Sequence, residues 1–437
     1  MNRGLAGGVF FAAMVWVTGA AAQLAAPAPE TLAIGDWQVA PVVEVRLRGE
    51  YRHDVDDLDK GLLVERARLG VDVQRGPLEA RVVLQDARAL DVAASADPIA
   101  GPAPIAVTGA YEAWVEAHTE SVNPSFLRAG RQPVTWGEGR LLSAAEWSPT
   151  GRSLDAVRGR LVVGDAAFEV LAAVLTDPST SASLQSYGEL LGARGQWALL
   201  PLLAVDVYAL ARVAQANPST DLQGSVEGET YTGAARLHGE GSAWTWGIEG
   251  AYQLGRATDL AADRAAWAAA GHVAHTFERV RLLPTIRVGG AYASGDSGGS
   301  TYRAFDPLLP DVHAWHGAMD LFAWSNEEEA NARVGIVPWT DGVAAVEYRY
   351  VRLAQPGGAW RSGYLSTIGA VPGNTKGELG SEIDAILRWL PWTSLELEAG
   401  YSMLVLGDGA RAILSESVMA PPTVSHFAYA QTTLRVP

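Results

Sequence analysis

Charged side chains occupy every second position along two stretches near the start of the chain, and most of them carry guanidinium groups. The charged residues are Glu44, Arg46, Arg48, Glu50 and Arg52 in the first stretch, and Arg66, Arg68 and Asp72 in the second. Guanidinium groups bind carboxylates through paired hydrogen bonds, donate to sugar hydroxyls and stay protonated at physiological pH. The chemistry that these residues favour is therefore the binding of an anionic or polyhydroxylated solute.

One stretch matches a catalytic motif. Gly295-Asp296-Ser297-Gly298-Gly299 has the same letters as the nucleophile loop of trypsin-like serine proteases. That chemistry needs a histidine base and a buried aspartate from earlier in the chain, and no Ala-Ala-His-Cys stretch precedes the motif. We therefore interpret it as a glycine-rich loop. Because no other nucleophile, base and orienting acid converge, the sequence predicts no enzyme.

Three groups of residues are candidate cation ligands. His313 and His316 have the i, i+3 spacing that lets two imidazoles share one metal on a helix, or they are polar residues of a loop folded over a pore. The acidic turn with Asp54, Asp56, Asp57 and Asp59 offers hard oxygen ligands for Ca²⁺, but it lacks the spaced pattern of a dedicated calcium loop. We interpret this turn and the run Glu327–Glu329 as solvated, and we expect no cofactor.

The same two-residue period recurs along the whole chain. Side chains of a strand point alternately to opposite faces, so each stretch has one polar and one apolar face. The predicted strands are 42–52, 62–75, 77–88, 109–119, 124–134, 152–163, 166–175, 187–198, 202–214, 227–239, 243–255, 264–276, 281–293, 326–337, 341–353, 377–389, 393–405 and 425–436. Each is long enough for a tilted strand of about 9 to 11 residues to cross a bilayer. The fold class is predicted to be all-β, a single 18-stranded antiparallel transmembrane barrel with a polar lumen.

The connections alternate in length. Those after even-numbered strands are tight, for example at Gly76 and 163–165, and those after odd-numbered strands are long, for example 89–108 and 354–376. Outer-membrane barrels have short periplasmic turns and long extracellular loops, so both termini are predicted in the periplasm. Any gate is expected to come from 294–325 or 135–151.

Tryptophans collect near the short turns, where a periplasmic girdle of amphipathic rings is expected; the alternative is that they fill a soluble core. The six are Trp197, Trp244, Trp246, Trp339, Trp389 and Trp392.

The N-terminus has the features of a secretory signal peptide. Arg3 precedes an apolar stretch, 5–17, and the small residues 20–22 form a cleavage site. The predicted organisation is a signal peptide at 1–22, a periplasmic segment at 23–41 and a barrel at 42–437. An uncleaved membrane anchor is the alternative, but the apolar stretch is short for a spanning helix.

Composition excludes several classes of protein. The chain has no cysteine, which rules out disulfides and thiolate metal sites. Its formal net charge of -16 argues against nucleic acid as a partner. Lys60 and Lys376 are its only lysines, so nearly all of its basic residues are arginines. The charges on the predicted lumen faces are roughly balanced, whereas those of the loops are strongly acidic.

Several motifs together resemble those of the alginate-export-type outer-membrane barrels, in the same order along the chain. They include Arg46-Leu47-Arg48-Gly49-Glu50-Tyr51, Arg66-Ala67-Arg68-Leu69-Gly70, Gly130-Arg131-Gln132, Trp147, Arg152-Ser153-Leu154-Asp155-Ala156-Val157-Arg158, Tyr292-Ala293-Ser294-Gly295-Asp296, Phe305-Asp306-Pro307-Leu308-Leu309-Pro310, His313, Gly317, Asp320 and Gly380-Ser381-Glu382-Ile383-Asp384. The resemblance implies an eighteen-stranded barrel in the cell outer membrane whose arginine-rich lumen conducts an anionic polysaccharide outward. The candidate lumen and selectivity residues are Arg46, Arg48, Arg52, Arg66, Arg68, Arg81, Arg128, Arg131, Arg158, Arg160, Glu382 and Asp384.

The resemblance also defines the expected partners, namely an anionic polysaccharide or a small anionic solute, outer-membrane lipid and the barrel assembly machinery. Family members usually end on an aromatic residue that this machinery recognises, but this chain ends on Val436 and Pro437. Phe427 and Tyr429 are the nearest aromatic residues, so insertion is expected to depend on them. A diffusion porin for small solutes is the alternative function, and an enzyme built on a barrel is a third class without a candidate active site.

Overall fold

The structure, a computed structural model, describes residues 31–91, 105–176, 186–200, 202–214, 228–257, 260 and 262–436. The predicted signal peptide lies outside these residues, as does most of the predicted loop 89–108. Strands dominate the described residues, in which the single helix is α1 (Asp408–Leu414). No helix in this part of the chain is long and apolar enough to cross a bilayer.

Twenty strands form one continuous sheet, and eighteen of them close into a ring. In chain order they are β1 (Trp37–His53), β2 (Asp59–Arg75), β3 (Leu78–Asp91), β4 (Ile105–His118), β5 (Phe126–Gln132), β6 (Leu154–Val163), β7 (Ala166–Thr176), β8 (Ser186–Leu200), β9 (Leu203–Ala214), β10 (Gly228–Glu240), β11 (Trp244–Ala257), β12 (Ala262–Thr276), β13 (Thr285–Ala293), β14 (Glu327–Ile336), β15 (Gly342–Leu353), β16 (Glu378–Trp392), β17 (Leu395–Leu406) and β18 (Val424–Val436). The other two, Leu32–Ile34 and Thr301–Tyr302, are short additions. The predicted all-β barrel of eighteen antiparallel strands is confirmed.

The ring closes between the first and last strands. β1 pairs antiparallel with β18, from Val43 opposite Val436 to His53 opposite His426. Because a closed barrel has no free sheet edge, its backbone N–H and C=O groups find partners within the wall. The hydrocarbon interior of a membrane requires this arrangement, since it supplies no hydrogen bonds.

The two faces of the wall differ in chemistry. On β1, Val45 and Leu47 are 40% and 49% exposed, whereas Arg46 and Arg48 are 4% and 0% exposed. On β2, Leu69 is 65% exposed. Apolar side chains therefore cover the outer surface and charged side chains are buried inside, which is the arrangement that suits a wall surrounded by lipid.

Aromatic rings lie on the outer face near both ends of the strands. Near the connections 241–243, 337–341 and 393–394 the exposed rings are those of Trp244, Trp339, Trp389 and Trp392. Trp197 and Trp246 share this outward face, to judge from their alternation with their neighbours. Toward the opposite ends the exposed rings include those of Tyr51, Tyr231, Tyr252, Trp267, Tyr348 and Tyr401. Such rings favour the headgroup level on either side of a bilayer.

β1 begins earlier than predicted. The sequence placed the start of the barrel at residue 42, but residues 38–41 already pair with 71–74 of β2. Pro41 obscured this extension, because proline cannot donate to a sheet ladder and is confined to strands with an open side. The partner on the other side, β18, reaches only as far as Val43, so Pro41 meets this condition.

Two connections fold into the barrel. We call residues 133–153, between β5 and β6, loop A, and residues 294–326, between β13 and β14, loop B. Trp136 and Leu142 of loop A and Leu308 and Trp324 of loop B pack into one apolar core with inward side chains such as Leu210. The two loops therefore fill part of the lumen.

Candidate functional site

Loops A and B are hydrogen-bonded to each other along their backbones. Ser143 donates its N–H to the carbonyl of Leu309 at 2.9 Å, and Leu309 donates to the carbonyl of Leu141 at 3.1 Å. Nη1 of Arg152 donates to three carbonyls, including those of Leu309 (2.8 Å) and Pro310 (3.0 Å). The two loops therefore form one unit, the loop pair. Both segments predicted to supply a gate lie inside the barrel, and gating itself stays a prediction.

The arginines of β1 and β2 hold loop A against the wall. Arg46 donates to the carbonyls of Glu146 (2.6 Å) and Ser148 (2.9 Å). Arg66 and Arg68 each place a guanidinium nitrogen 3.0 Å from Oε2 of Glu146. These predicted lumen residues thus face inward and are engaged by loop A, which the strand pattern alone gave no means to foresee.

The indole of Trp147 joins the wall to both loops. Arg48 of β1 lies 3.6 Å above this ring and donates to the Trp147 carbonyl at 2.9 Å. His313 of loop B stacks on the same indole, with ring centroids 3.7 Å apart. The indole N–H donates to Asp320 of loop B at 3.0 Å.

The tip of loop B is held between opposite ends of the chain. Arg52 of β1 donates to the carbonyl of Met319 at 2.7 Å, and Glu382 of β16 accepts the Met319 N–H at 3.1 Å. Glu382 and Asp384 are both buried inside the barrel. Glu382 is therefore part of the support of loop B, whereas Asp384 lines a cavity beside it.

Four other predicted arginines lie on the inner face in ion pairs within the wall. Arg81 pairs with Asp72 (3.3 Å) and Arg128 with Glu116 (2.7 Å), while Arg158 and Arg160 both pair with Glu169 (2.6 and 3.8 Å). Their neutralising partners sit beside them, as expected for charges on a partly solvated wall.

Arg131 lies on the outer face of the barrel and not in the lumen. Its register partner on β4 is the exposed Ala113, and it shares its face of β5 with Leu127, which points outward. There it forms an ion pair of 2.6 Å with Asp155. The resemblance suggested this residue, whereas alternation from the inward Arg128 places it on the outer face. Its prediction as a lumen residue was therefore wrong.

A cavity of about 570 Å³ lies between the loop pair and the sector of the wall formed by β14 to β18 and the neighbouring β1 and β2. Its cationic lining consists of Arg46, Arg66, Arg333, Arg349, Arg388 and Arg435, and its wall carboxylates are Glu347, Asp384, Glu396 and Glu398. Arg435 donates to Glu396 and to Glu44, each at 3.0 Å. Arg435 was missing from the candidate set, although the alternation of β18 places it inward.

The loop carboxylates are held ionised by arginines. Burial would raise the pKa of Glu146, but the guanidinium groups of Arg68 and Arg66 outweigh it and keep the pKa well below its usual range. Burial would likewise raise the pKa of Asp306 in loop B, but the guanidinium groups of Arg212 and Arg264 outweigh it and leave that pKa lowered. Arg212 reaches this carboxylate at 2.5 Å. Both loops therefore carry anions that the wall neutralises.

The candidate cation ligands separate in the structure. Lys60 places its ammonium 3.1 Å from Asp54 and 2.6 Å from Asp56, within the acidic turn. His313 contacts Asp320 at 2.6 Å, whereas His316 contacts Glu327 and Glu329, so the two histidines have different partners. The expectation that the protein has no cofactor stays a prediction.

The run Glu327–Glu329 is not a solvated turn. It begins β14, where Glu327 and Glu329 are buried and Glu328 points outward to Arg352 at 3.2 Å. The earlier interpretation was wrong because three consecutive acids at a strand start distribute over both faces. Asp296 of the protease-like stretch accepts the N–H groups of Gly298 and Arg303, each at 3.0 Å, and so closes a turn within loop B.

The C-terminal aromatic residues face inward. Phe427 lies under the guanidinium of Arg52, 3.9 Å from it, and Tyr429 donates to Glu398 at 2.6 Å. Both rings are buried in the interior. Their role in insertion stays a prediction.

A closed eighteen-stranded barrel with an apolar outer band and a charged interior is an outer-membrane channel. The chain belongs to the alginate export family, whose sequence profile matches residues 42–418. No individually curated protein sequence matches the chain significantly.

Solved structures of outer-membrane proteins share the fold. Acinetobacter baumannii OccAB2 is 13% identical with a TM-score of 0.59, covering 91% of this chain and 98% of its own. Pseudomonas aeruginosa OccK2 (OpdF), solved in complex with glucuronate, is 11% identical with a TM-score of 0.59, covering 91% and 97%. Pseudomonas aeruginosa OprD is 10% identical with a TM-score of 0.56, covering 90% and 93%.

Proposed function

We propose that this channel passively conducts an anionic, alginate-like exopolysaccharide from the periplasm to the cell surface. The observation that carries the proposal is the cavity wall, where guanidinium groups alternate with carboxylates. A polyuronate presents one carboxylate and several hydroxyls on each sugar. Arginine binds the carboxylate as a planar fork, and Glu or Asp accepts hydrogen bonds from the hydroxyls.

The polymer passes between the loop pair and β14 to β18. On the other side of the lumen, loops A and B pack tightly against inward side chains such as Leu171 and Leu210, so that side is closed. The wall charges are largely paired, for example Arg435 with Glu396, so they attract a polyanion without trapping it. Conduction needs binding of this moderate strength.

We orient the barrel with its tryptophan-rich end in the periplasm. The connections at that end include 76–77 and 164–165, whereas the opposite end carries 354–377 and 407–423. Gly76 and Gly164 adopt φ of +54° and +59°, the left-handed conformation that tight strand turns require. Short turns on the periplasmic side are the rule in bacterial barrels.

A diffusion porin for small anionic solutes is the second candidate. A cavity of about 570 Å³ has the size of a site for a single sugar acid or similar solute. OccK2, which shares this fold, was solved with glucuronate, a monomeric sugar acid. In this case the loop pair is a fixed constriction that does not move to admit a polymer.

One pair of measurements separates the two functions. The purified barrel in planar bilayers is exposed to glucuronate and to uronate oligomers of increasing length, added on the periplasmic side. Polymer export predicts current blocks whose duration grows with oligomer length, and loss of surface polysaccharide in a deletion strain. Blocks by the monomer alone, with surface polysaccharide intact in the deletion strain, would assign the porin function.

A further inference from the structure

A histidine and two glutamates meet where loop B joins the wall. Nδ1 of His316 lies 3.0 Å from Oε2 of Glu327 and 3.1 Å from Oε2 of Glu329. One ligand atom from each of the three side chains lies within 4.8 Å of the other two. Glu327 and Glu329 are alternate residues of β14, so the strand itself directs both carboxylates to the same inward side.

The cluster is buried, and His316 shares a hydrogen bond of 3.1 Å with Glu329. The side chains of Glu327 and Glu329 are 3% and 1% exposed, and that of His316 is 11% exposed. Neither oxygen of Glu327 accepts a hydrogen bond from the described residues. The single Nδ1 of His316 can donate to only one carboxylate at a time. A buried carboxylate without a donor is costly, and a cation between the three groups removes that cost.

Glu329 is oriented from behind by other residues. Arg349 forms an ion pair with its Oε1, and the Asn331 amide donates to the same oxygen at 2.5 Å. The other oxygen, Oε2, is therefore turned toward His316. Outer groups that fix the direction of a carboxylate in this way are typical supports of metal ligands.

We propose that His316, Glu327 and Glu329 bind one Zn²⁺ ion that fastens loop B to β14. Zinc accepts imidazole nitrogen and carboxylate oxygen at about 2.0 to 2.2 Å, so neighbouring ligands of a tetrahedral site lie about 3.3 Å apart. The nitrogen–oxygen distances of 3.0 and 3.1 Å already approach this separation. Ca²⁺ and Mg²⁺ prefer all-oxygen sites, so the imidazole favours a transition metal.

The zinc ion adds an attachment of loop B at β14, besides those that Arg52, Glu382 and Arg212 provide. His316 lies three residues before Met319, whose carbonyl Arg52 binds at 2.7 Å. With zinc bound, the tip of loop B is fixed to β1 and to β14, which both border the cavity. Chelation then loosens the attachment at β14 without breaking the barrel wall, and this loosening widens the passage beside β14.

Zinc titration of the chelator-treated full barrel in detergent micelles tests the proposal. Calorimetry is expected to show one tight site, and Co²⁺ in place of zinc is expected to give the visible absorption of a four- or five-coordinate ion. E327Q and H316A are expected to weaken binding by more than about tenfold. Heat-modifiable migration on gels confirms that each variant still forms a barrel.

A second cluster provides the matched control. Glu79, Glu116 and His118 also bring three ligand atoms together, but Arg128 already neutralises Glu116 at 2.7 Å. H118A is therefore expected to leave the tight site intact, as is H313A, which changes another histidine of loop B. No zinc binding by the unaltered barrel, unchanged binding by folded E327Q, or loss of binding in H118A would each overturn the proposal. If neither E327Q nor H316A folds, absence of the Co²⁺ absorption in the unaltered barrel overturns it, and its presence supports it.

Discussion

The guanidinium of Arg48 lies 3.6 Å above the indole ring of Trp147 and also donates a hydrogen bond to the carbonyl of that residue. Arg48 belongs to the wall and Trp147 to loop A, and the same indole stacks on His313 of loop B. A cation over an aromatic face is stabilised most where water is excluded. This contact therefore joins the wall to both loops through a single indole ring.

Replacement of Trp147 by alanine is expected to release loop A from β1. The variant loses the cation–π contact, the stack with His313 and the hydrogen bond to Asp320. A Trp to Ala change at a packed site costs about 3 kcal/mol in the free energy of unfolding. We expect a higher single-channel conductance with more frequent fluctuations, measured in planar bilayers, and a lower urea midpoint.

The matched control is Arg128→Ala. Arg128 also lies over an indole, that of Trp114, at 3.7 Å, but its contacts are with wall residues. This change should leave the conductance unaltered. Equal conductance changes in the two variants would show that the Trp147 contact has no special control over the loop pair.

Acidification is expected to leave loop A docked until the pH is well below the ordinary carboxyl range. The pKa of Glu146 is lowered in the folded protein, because Arg68 and Arg66 outweigh the effect of burial. A carboxyl whose folded pKa is depressed stabilises the fold above its unfolded pKa of about 4.3, and loses this effect as the pH falls through the folded value. Conductance traces should therefore be alike at pH 7 and pH 5.

Glu146→Gln reproduces the protonated state at neutral pH. The amide cannot form the ion pairs with Arg66 and Arg68, so loop A should loosen at pH 7 and the conductance should rise. The variant should also lose any further response to strong acid. A wild-type barrel that opens between pH 7 and pH 5 would contradict this assignment.

Gly317→Ala is expected to push loop B away from β16. A Cβ atom at residue 317 would lie 2.5 Å from a carboxylate oxygen of Glu382, and φ there is +94°. Gly298→Ala is the matched control, since φ is +86° and its Cβ would meet nothing within 4 Å. Both changes carry backbone strain of about 1 kcal/mol. The difference in unfolding temperature between the two variants therefore measures the effect of the contact with Glu382.

The two variants are compared by thermal unfolding and by protease cleavage within loop B. Gly317→Ala should lower the unfolding temperature further and expose loop B to cleavage. Indistinguishable behaviour would mean that loop B can shift at residue 317 without loss of its support.

The wall could be predicted from the sequence because its signal is local. Arg46 and Arg48 alternate with Val45 and Leu47, and a strand period of two residues assigns each to a face. The same rule contradicts Arg131, which entered the candidate set through a short motif. Local periodicity was therefore more reliable than the motif at this position.

The interior could not be predicted in the same way. Arg46 binds the carbonyl of Glu146, a residue 100 positions later, in a loop without periodicity. The alternation of the strand predicted at 326–337 assigns Glu327 to a face, but nothing in the sequence indicated that its partner there is His316. Such contacts depend on how two long loops pack against each other inside the closed ring, and that packing is set by tertiary structure.

Anion preference is expected to depend on Arg388 and Arg435, which line the cavity on the wall opposite the loop pair. Both contact Glu396, so replacing both by glutamine leaves that carboxylate without its cationic partners. One unit charge at about 4 Å in water is worth about 1 kcal/mol, so each arginine contributes about fivefold to the anion to cation permeability ratio. Reversal potentials in a salt gradient should show a marked fall in the ratio for the double variant, and the fall should shrink at 1 M salt.

Arg158→Gln is the control, because Arg158 is paired with Glu169 behind loop A. A larger effect of Arg158→Gln than of the double variant would place the conducting path on the other side of the loop pair.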